Sequence, residues 1–399
     1  MKRKKLFLIQ ALLPVLFLVM PSQSGNAIPA FARKYQISCQ VCHSPVPRLK
    51  AFGETFASNG YRLTQYESPR YFIQAGDEKL SLLREVPLAI RFDGIASLNI
   101  RNGGKVDFGA PMGLKLLSGG ELSDKLSYYF YFFMSEAGEM VGIEDAFLVY
   151  HDLFGSGLNF YAGQFQVCDA MYKRELRLTL EDAKILTVAP GNSSAVLTYD
   201  RGIMFDYEIP KLKTVFTAEI LNGSGIGAAG AGLKFDKDKY KNVMGRIAQP
   251  IGKNIEIGFF GYSGKELIID MPDITNSRMN MFGPTLRLNF NERFMVNMLY
   301  VKRTDSKVLI EADGTIDNNV MTQGGFAELI YTPKGDMSKW YLTGLFNWVN
   351  SDLGDLDYKS ATLHSGYVLR RNVRLFSELT WISAEEDYGK LSIGFVSAF

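Results

Sequence analysis

From Val86 to Phe399 apolar and polar residues alternate in run after run, and this periodicity constrains the fold more than any other feature of the chain. In VPLAIRFDGIASLNIR the even positions are Val86, Leu88, Ile90, Phe92, Gly94, Ala96, Leu98 and Ile100, whereas the odd ones include Arg91, Asp93, Ser97, Asn99 and Arg101. A period of two places these sets on opposite faces of a strand, one apolar and one largely polar. The pattern recurs in KLSYYFYFFMS, GLNFYAGQF, GIMFDYEI, IEIGFFGYS, GPTLRLNFN, FMVNMLYVK, GGFAELIYT, WYLTGLFNWV, KSATLHSGYVL, VRLFSELTWIS and KLSIGFVSAF, with weaker candidates near Val106, Ala146, Val215 and Val243. Together these give about 16 strands at roughly 20 residues per strand and connection, room for the ~9–11 residues that a tilted strand needs to cross a bilayer.

The connections sort by length. PKLK (210–213), IGKN (251–254), NERF (291–294) and RRN (370–372) are short, and most of the alternate ones are long: 166–195, 221–242, 265–277 and 304–320. A membrane barrel has short turns at one rim and long loops at the other, whereas a soluble sandwich has no reason to sort its loops by parity. After the N-terminal segment no stretch has 18 consecutive apolar residues, so any membrane crossing is expected by strands, in a chain that is 13% aromatic. The expected fold is all-β: a transmembrane antiparallel β-barrel of about 16 strands over residues 86–399, with a small, mostly helical or irregular plug over residues 28–85.

Residues 1–27 read as a secretory signal peptide, with basic residues from Lys2 to Lys5, an apolar run from Leu6 to Met20 broken by Pro14, and a small-residue ending at Gly25, Asn26 and Ala27. Cleavage removes four of the 44 basic residues and none of the 42 acidic ones, leaving a balance of about −2 that gives no reason to expect nucleic acid.

Two of the three cysteines lie in CQVCH, Cys39 to His43. C-x-x-C-H is the attachment signature of c-type haem: two thiols add across the vinyl groups and the adjacent histidine coordinates iron. Cys39 and Cys42 are then the thioether anchors of one haem c, and His43 is an axial iron ligand. A structural zinc site wants a second Cys/His pair, but the other histidines, His151 and His364, are isolated. A thioredoxin-like pair wants a βαβ context, which Pro45, Pro47 and the polar run after His43 do not supply. No methionine or histidine occurs between His43 and Met112, so the distal position is filled from the following domain or stays open. The candidates are His364, alternating with Thr362, Gly366 and Val368 on the expected lumen face; Met204, beside Gly202 and Asp206; and His151, at an expected turn. Cys168, at the start of the longest loop, is expected to be passive.

Residues 28–85 are too few to bury a robust core alone, and a barrel of about 16 strands encloses an aqueous channel unless something fills it. They are expected to plug the lumen or its mouth. A haem held near the middle of an apolar band ~25 Å tall lies roughly half that distance from either side.

AIPAFARKYQISCQVCHSPVPRLKAFGETFASNGY resembles the N-terminus of fused monohaem cytochrome-porins, a family of outer-membrane c-type cytochromes that includes the iron-oxidising ones. The shared elements are Pro29, Phe31, Ala32, Arg33, the CxxCH, Pro47, Leu49, Phe52 and Gly53. EDAFLVYHDLF (144–154), YAGQFQV (161–167), YDRGIMFDY (199–207) and EILNGSG (219–225) are similar to phosphate-selective porins O and P, departing at Cys168 and Asp169 where that family has Pro-Phe. Phe399, on the face of Leu391, Ile393 and Phe395, resembles the insertion signal of bacterial outer-membrane proteins.

These resemblances imply a barrel surrounded by outer-membrane lipid, with the haem segment facing the periplasm or inside the lumen. They imply electron transfer between an extracellular donor or acceptor, with Fe(II) as the candidate metal, and a periplasmic carrier such as a soluble c-type cytochrome. The haem iron performs the redox step, and no further catalytic residue is expected. Asp352, Asp355, Asp357, Glu385, Glu386 and Asp387 in the loops are read either as attracting Fe²⁺ or as ordinary solvated acids. The alternative is a diffusion porin for anions or small solutes, with the haem segment as plug or sensor and Arg91, Arg101, Lys105 and Lys115 facing inward. Homo-oligomerisation is left open.

Overall fold

The computed structural model describes residues 30–63, 86–100, 104–236, 238–270, 273–309 and 319–399. The expected signal peptide, residues 64–85 of the expected plug and Arg101 lie outside the described residues.

Sixteen antiparallel strands form one closed barrel. They are β1 (Leu88–Asn99), β2 (Lys105–Ser123), β3 (Leu126–Glu136), β4 (Gly142–Leu153), β5 (Leu158–Gln166), β6 (Tyr199–Glu208), β7 (Val215–Leu221) and β8 (Asn242–Ile251). The circle continues with β9 (Ile255–Asp270), β10 (Asp273–Phe290), β11 (Phe294–Ser306), β12 (Asn319–Tyr331), β13 (Trp340–Ser351), β14 (Tyr358–Arg370), β15 (Val373–Ser383) and β16 (Tyr388–Ala398). β1 pairs with β16 from Arg91↔Ala398 to Asn99↔Lys390, and the last residue fastens the seam: Ile90 N–H donates to the Phe399 carbonyl at 2.7 Å and Phe399 N–H to the Ile90 carbonyl at 2.8 Å. In hydrocarbon each unpaired backbone group costs several kcal/mol, and closure removes the edges that would carry them.

The faces follow the alternation. Leu363 is 59% exposed on the outside of β14, while its neighbours Thr362 and His364 are buried on the inside. Leu329, Leu342, Phe346, Leu379 and Trp381 continue the same outward surface, an apolar face of the kind that lipid covers in membrane barrels. Aromatic pairs mark its edges, Phe294 with Tyr331 and Trp340 with Tyr367 at the short-turn rim, and Tyr300 with Trp348 toward the other.

The short connections after β6, β8, β10 and β14 fall where the sequence places them, all at one rim. Two long ones differ from expectation. Residues 265–277 are mostly strand: β9 and β10 pair from Leu288↔Ile255 to Asp273↔Asp270. Their polar residues, including Lys265, Glu266, Asn276 and Ser277, look like a loop, but a strand extending above lipid needs no apolar outer face. The connection between β5 and β6, residues 167–198, is expected outside and instead folds into the lumen. Its Val167, Cys168, Met171, Ile185, Leu186 and Val188 are buried against Leu221, Met244, Phe260, Met279, Leu299 and Val349 of the wall. A water-filled lumen would leave those wall residues wet. Burying them is worth roughly 25 cal/mol per Å² of apolar surface.

The described residues of the N-terminal segment carry three short helices, α1 (Ala30–Tyr35), α2 (Cys39–Cys42) and α3 (Ala51–Ser58). It sits at the short-turn rim, not midway along the barrel. Gln40 Nε2 donates to the Asp336 carbonyl at 2.7 Å, Lys50 bonds the Asp336 carboxylate, Arg62 reaches the Asp124 carbonyl and Arg33 the Leu88 carbonyl. The cause is polar: the segment's cations and amides find the carbonyls and acids that turns expose.

Gly60 lies close against the wall. Its φ is +67°, and a Cβ there would lie 2.1 Å from Ser127 Oγ and 2.3 Å from His151 Nε2. Gly60→Val is therefore expected to weaken docking of the segment by ~1–3 kcal/mol, seen as faster limited proteolysis within residues 30–63 while the barrel resists. Unchanged cleavage would mean that the contact at Gly60 does not hold the segment.

Candidate functional site

α2 is a single turn, which puts Cys39 and Cys42 on one face at a spacing of three. Ser38 caps it, its Oγ accepting from Gln40 N–H at 3.4 Å, and His43 N–H closes it by donating to the Cys39 carbonyl at 2.9 Å. His43 itself is extended (φ −124°, ψ 138°), so the chain leaves the helix at the histidine. The SPVPR stretch then turns back: Ser44 N–H donates to the Arg48 carbonyl at 3.0 Å and Lys50 N–H to the Cys42 carbonyl at 2.8 Å.

This turn delivers the Pro47 carbonyl to the imidazole. His43 Nδ1 donates to it at 2.7 Å, which fixes the tautomer and leaves the lone pair on Nε2. Burial lowers the pKa of His43, outweighing the carbonyls of Pro47 and Arg48 that favour the charged form, so the ring stays neutral. Burial raises the Cys39 thiol, and burial followed by the charge of Cys39 pushes Cys42 up to about 11. The two are not joined in a disulfide.

Tyr35, Cys42 and Phe56 form a small core, with Phe31, Ile37, Leu49, Tyr61 and Leu63 packed against it. Tyr61 stacks on Phe31 at 4.6 Å and on Tyr129 of β3 at 5.1 Å, so the core is continuous with the barrel wall. A Cβ on Gly53 would come within 2.4 Å of the Cys42 carbonyl oxygen, so α3 lies directly on the backbone of the motif.

The three candidate distal residues lie on the wall in separate settings. His364, 0% exposed on β14, places Nδ1 2.9 Å from Glu378 Oε2 and Nε2 3.3 Å from the Tyr341 hydroxyl, which occupies both nitrogens. His151 shares a 2.6 Å hydrogen bond with Ser127 through Nε2, beside Gly60. Met204 packs against the inward loop cluster.

Sequence reasoning misses the groups that hold the inward loop. Glu378 accepts from Leu180 N–H at 2.7 Å and Glu181 N–H at 3.0 Å; Glu266 accepts from Ser194 N–H at 2.9 Å; Arg303 donates to the carbonyls of Val188 and Ala195 at 2.8 and 2.7 Å. A signal was available in β9, where Phe259 and Phe260 face opposite sides, because a strand apolar on both faces needs cover on both.

The inward cations are largely matched. Arg91 pairs with Asp93 at 2.8 Å and Lys115 with Glu175 of the loop at 3.4 Å, whereas Lys105 is exposed at the long-loop end. Asp352 accepts the Met321 backbone N–H of β12 and Asp357 that of Ser351 in its own turn, both at 2.8 Å, so each carboxylate has a structural partner. Among the described residues no three His, Cys, Asp or Glu side chains converge as a metal site.

No family model and no curated protein matches the sequence. Solved structures do. An anion-selective porin from Comamonas acidovorans aligns at 12% identity and a TM-score of 0.55, covering 79% of this chain and 99% of its own. OmpF of Salmonella typhi, in complex with daunomycin, gives 10% and 0.56 over 79% and 97%. In-vitro folded OmpT of Vibrio cholerae, in its trimer form, gives 10% and 0.54 over 79% and 99%. The fold is that of the outer-membrane porins. The haem-type motif of this porin-fold chain lies in the segment that precedes β1, at the rim opposite the long loops.

Proposed function

We propose that the chain is an outer-membrane barrel carrying one covalently attached haem c at its periplasmic mouth, and that it passes electrons between the cell exterior and a periplasmic carrier such as a soluble c-type cytochrome. This places it with the fused cytochrome-porins that its N-terminal residues resemble. The observation that carries the reading is the geometry of the motif: two cysteines on one face of α2, not joined in a disulfide, followed by an imidazole whose Nδ1 is committed to Pro47. These donors fit haem c, and the aromatic core around Cys42 offers an apolar flank. Bound there, haem supplies a one-electron iron couple.

In this reading Cys39 and Cys42 tether the group, His43 Nε2 takes one axial position, and the Pro47 carbonyl orients the ring. Gln40 and Lys50 hold the motif to the turn at Asp336. If the short-turn rim faces the periplasm, a carrier docks close to the motif. An outer partner is then separated from it by most of an apolar band ~25 Å tall, so a small donor such as Fe(II) must enter the lumen from the loop side. Assembly into a homo-oligomer belongs to the same reading, by analogy with the trimer form of the Vibrio protein.

The test uses full-length protein in liposomes with Fe(II) added on the loop side and oxidised cytochrome c on the other. Reduction of the bound haem followed by reduction of the carrier is expected. A colourless purified protein, or haem that Fe(II) never reduces, would sink the Fe(II) reading.

The second reading is a diffusion porin, favoured by the porin fold and by a loop folded into the lumen. Planar-bilayer conductance at the level of an open pore, without Fe(II)-driven reduction, would select it.

A further inference from the structure

The motif rests on the turn between β12 and β13, where Gln40 Nε2 donates to the Asp336 carbonyl at 2.7 Å and Lys50 bonds the Asp336 carboxylate. Backbone bonds tie that turn to both neighbours. Thr332 N–H donates to the Arg293 carbonyl of the β10–β11 turn, and Val368 N–H of β14 donates to the Lys339 carbonyl, both at 2.8 Å. Three adjacent turns therefore frame the motif, and they carry Arg293, Lys334, Lys339, Arg370 and Arg371, all exposed. None of the five has an ion-pair partner among the described residues. The acidic side chains on the same turns are Glu292 and Asp336, and Asp336 is taken by Lys50. Cations on other short turns are neutralised locally, Lys125 by Asp152 at 3.0 Å and Lys213 by Glu208 at 2.7 Å. The charge of Arg371 also reaches the Cys39 thiol, so the basic surplus borders the motif itself.

The far ends of the same hairpins have the opposite sign. The β13–β14 loop carries Asp352, Asp355 and Asp357, and the β15–β16 loop Glu385, Glu386 and Asp387, all exposed. In a chain whose 44 basic and 42 acidic residues nearly cancel, composition alone does not produce this segregation. Within the basic frame apolar surface is left open at Phe52, 44% exposed, and at Met337, 66% exposed, close in the chain to Lys50 and Asp336. A small apolar contact ringed by one sign of charge suits a transient partner: the charge steers and orients it, and the small contact lets it leave.

We propose that this face docks a soluble electron carrier whose surface around its own redox centre is acidic. The proposal rests on the electron-transfer reading above and adds the sign of the partner's charge. Arg293, Lys334, Lys339, Arg370 and Arg371 attract the carrier's carboxylates, and Phe52 and Met337 meet its apolar centre beside Cys39 and Cys42. Docking moves no atom between the two proteins, and the electron exchange is that of the earlier reading. A basic carrier is repelled from the same face, so the ring also selects among carriers.

The test mixes reduced full-length protein in detergent with oxidised cytochrome c in two charge forms, the native basic protein and the same protein with its lysines succinylated to carboxylates. At low ionic strength the acidic form is expected to take electrons ~10–100-fold faster than the basic one, and the gap to close at about 1 M salt, where charges are screened beyond ~3 Å. Lys339→Gln, Arg370→Gln and Arg371→Gln together are expected to remove most of that advantage. Lys211→Gln with Lys253→Gln, exposed cations farther round the rim, are expected to keep it. Heat-modifiable gel migration checks that each variant folds. A second arm reads the surface without haem: immobilised Cys39→Ser with Cys42→Ser protein is expected to retain the acidic cytochrome at low salt and to lose it when the three cations are also replaced. Failure of the electron-transfer reading leaves that arm intact. Equal rates and equal retention for the two charge forms, or equal loss in the two sets of variants, would overturn the docking face while leaving electron transfer by the haem untouched. Binding of phosphatidylglycerol vesicles through the same three cations, with no retention of the acidic cytochrome, would assign the face to lipid headgroups and overturn the carrier.

Discussion

Replacing Cys39 and Cys42 together with serine is expected to abolish covalent haem: a denaturing gel stained for haem shows a band for the parent and none for the variant. A serine hydroxyl does not form the thioether, so His43 and the apolar flank alone cannot retain the group through denaturation. The barrel is expected to persist, because none of its strand ladders passes through α2. Heat-modifiable migration should therefore be the same for both proteins. His43→Ala separates attachment from coordination. It keeps both thioethers and the stain, and its visible spectrum shifts and is restored by added imidazole. A variant that still stains would remove Cys39 and Cys42 from the attachment role. A parent that never stains would remove haem altogether and leave the porin fold standing.

How far these features can be read from residues alone depends on how local they are. β1 is legible because each side chain's face is set by its own parity, and Arg91 and Asp93 do pair on the lumen side as the alternation requires. The turn at 370–372 is legible because it interrupts that alternation. CQVCH is legible because attachment chemistry needs those residue types at that spacing. The role of Pro47 is not, since a carbonyl carries no sequence signature and only the return of the chain brings it to His43 Nδ1. The inward loop fails for a related reason. Val167, Met171, Ile185, Leu186 and Val188 have no strand period, and their burial depends on Phe260, Met279 and Leu299 from strands far along the chain. The setting of Met204 is likewise invisible until the register places it across from Glu219.

Arg303→Ala is expected to release the inward loop and raise single-channel conductance in planar bilayers. Arg303, 3% exposed on β11, holds Asp305 through two bonds of 2.7 and 2.8 Å while donating to Val188 and Ala195 carbonyls and to Ser193 Oγ. Truncation leaves the Asp305 carboxylate buried without its cation and strips two loop carbonyls of their donor. Removing one partner of a buried ion pair costs about 3–5 kcal/mol. The loss is local, because Glu378 still binds residues 180–181 and Asn347 still donates to the Asp182 carbonyl at 2.9 Å. Residues 188–195 keep Glu266 at Ser193 and Ser194 and the Val308 carbonyl at Asn192, so they should loosen about these anchors while the barrel stays closed, giving larger and noisier openings and new protease cleavage within residues 167–198. Asp305→Asn keeps the shape without the charge and should fall between parent and Arg303→Ala. Haem staining should not change, since the motif sits at the opposite rim. Unaltered conductance with a protease-resistant loop would show that the apolar cluster holds the loop unaided, and that the guanidinium serves only to neutralise Asp305.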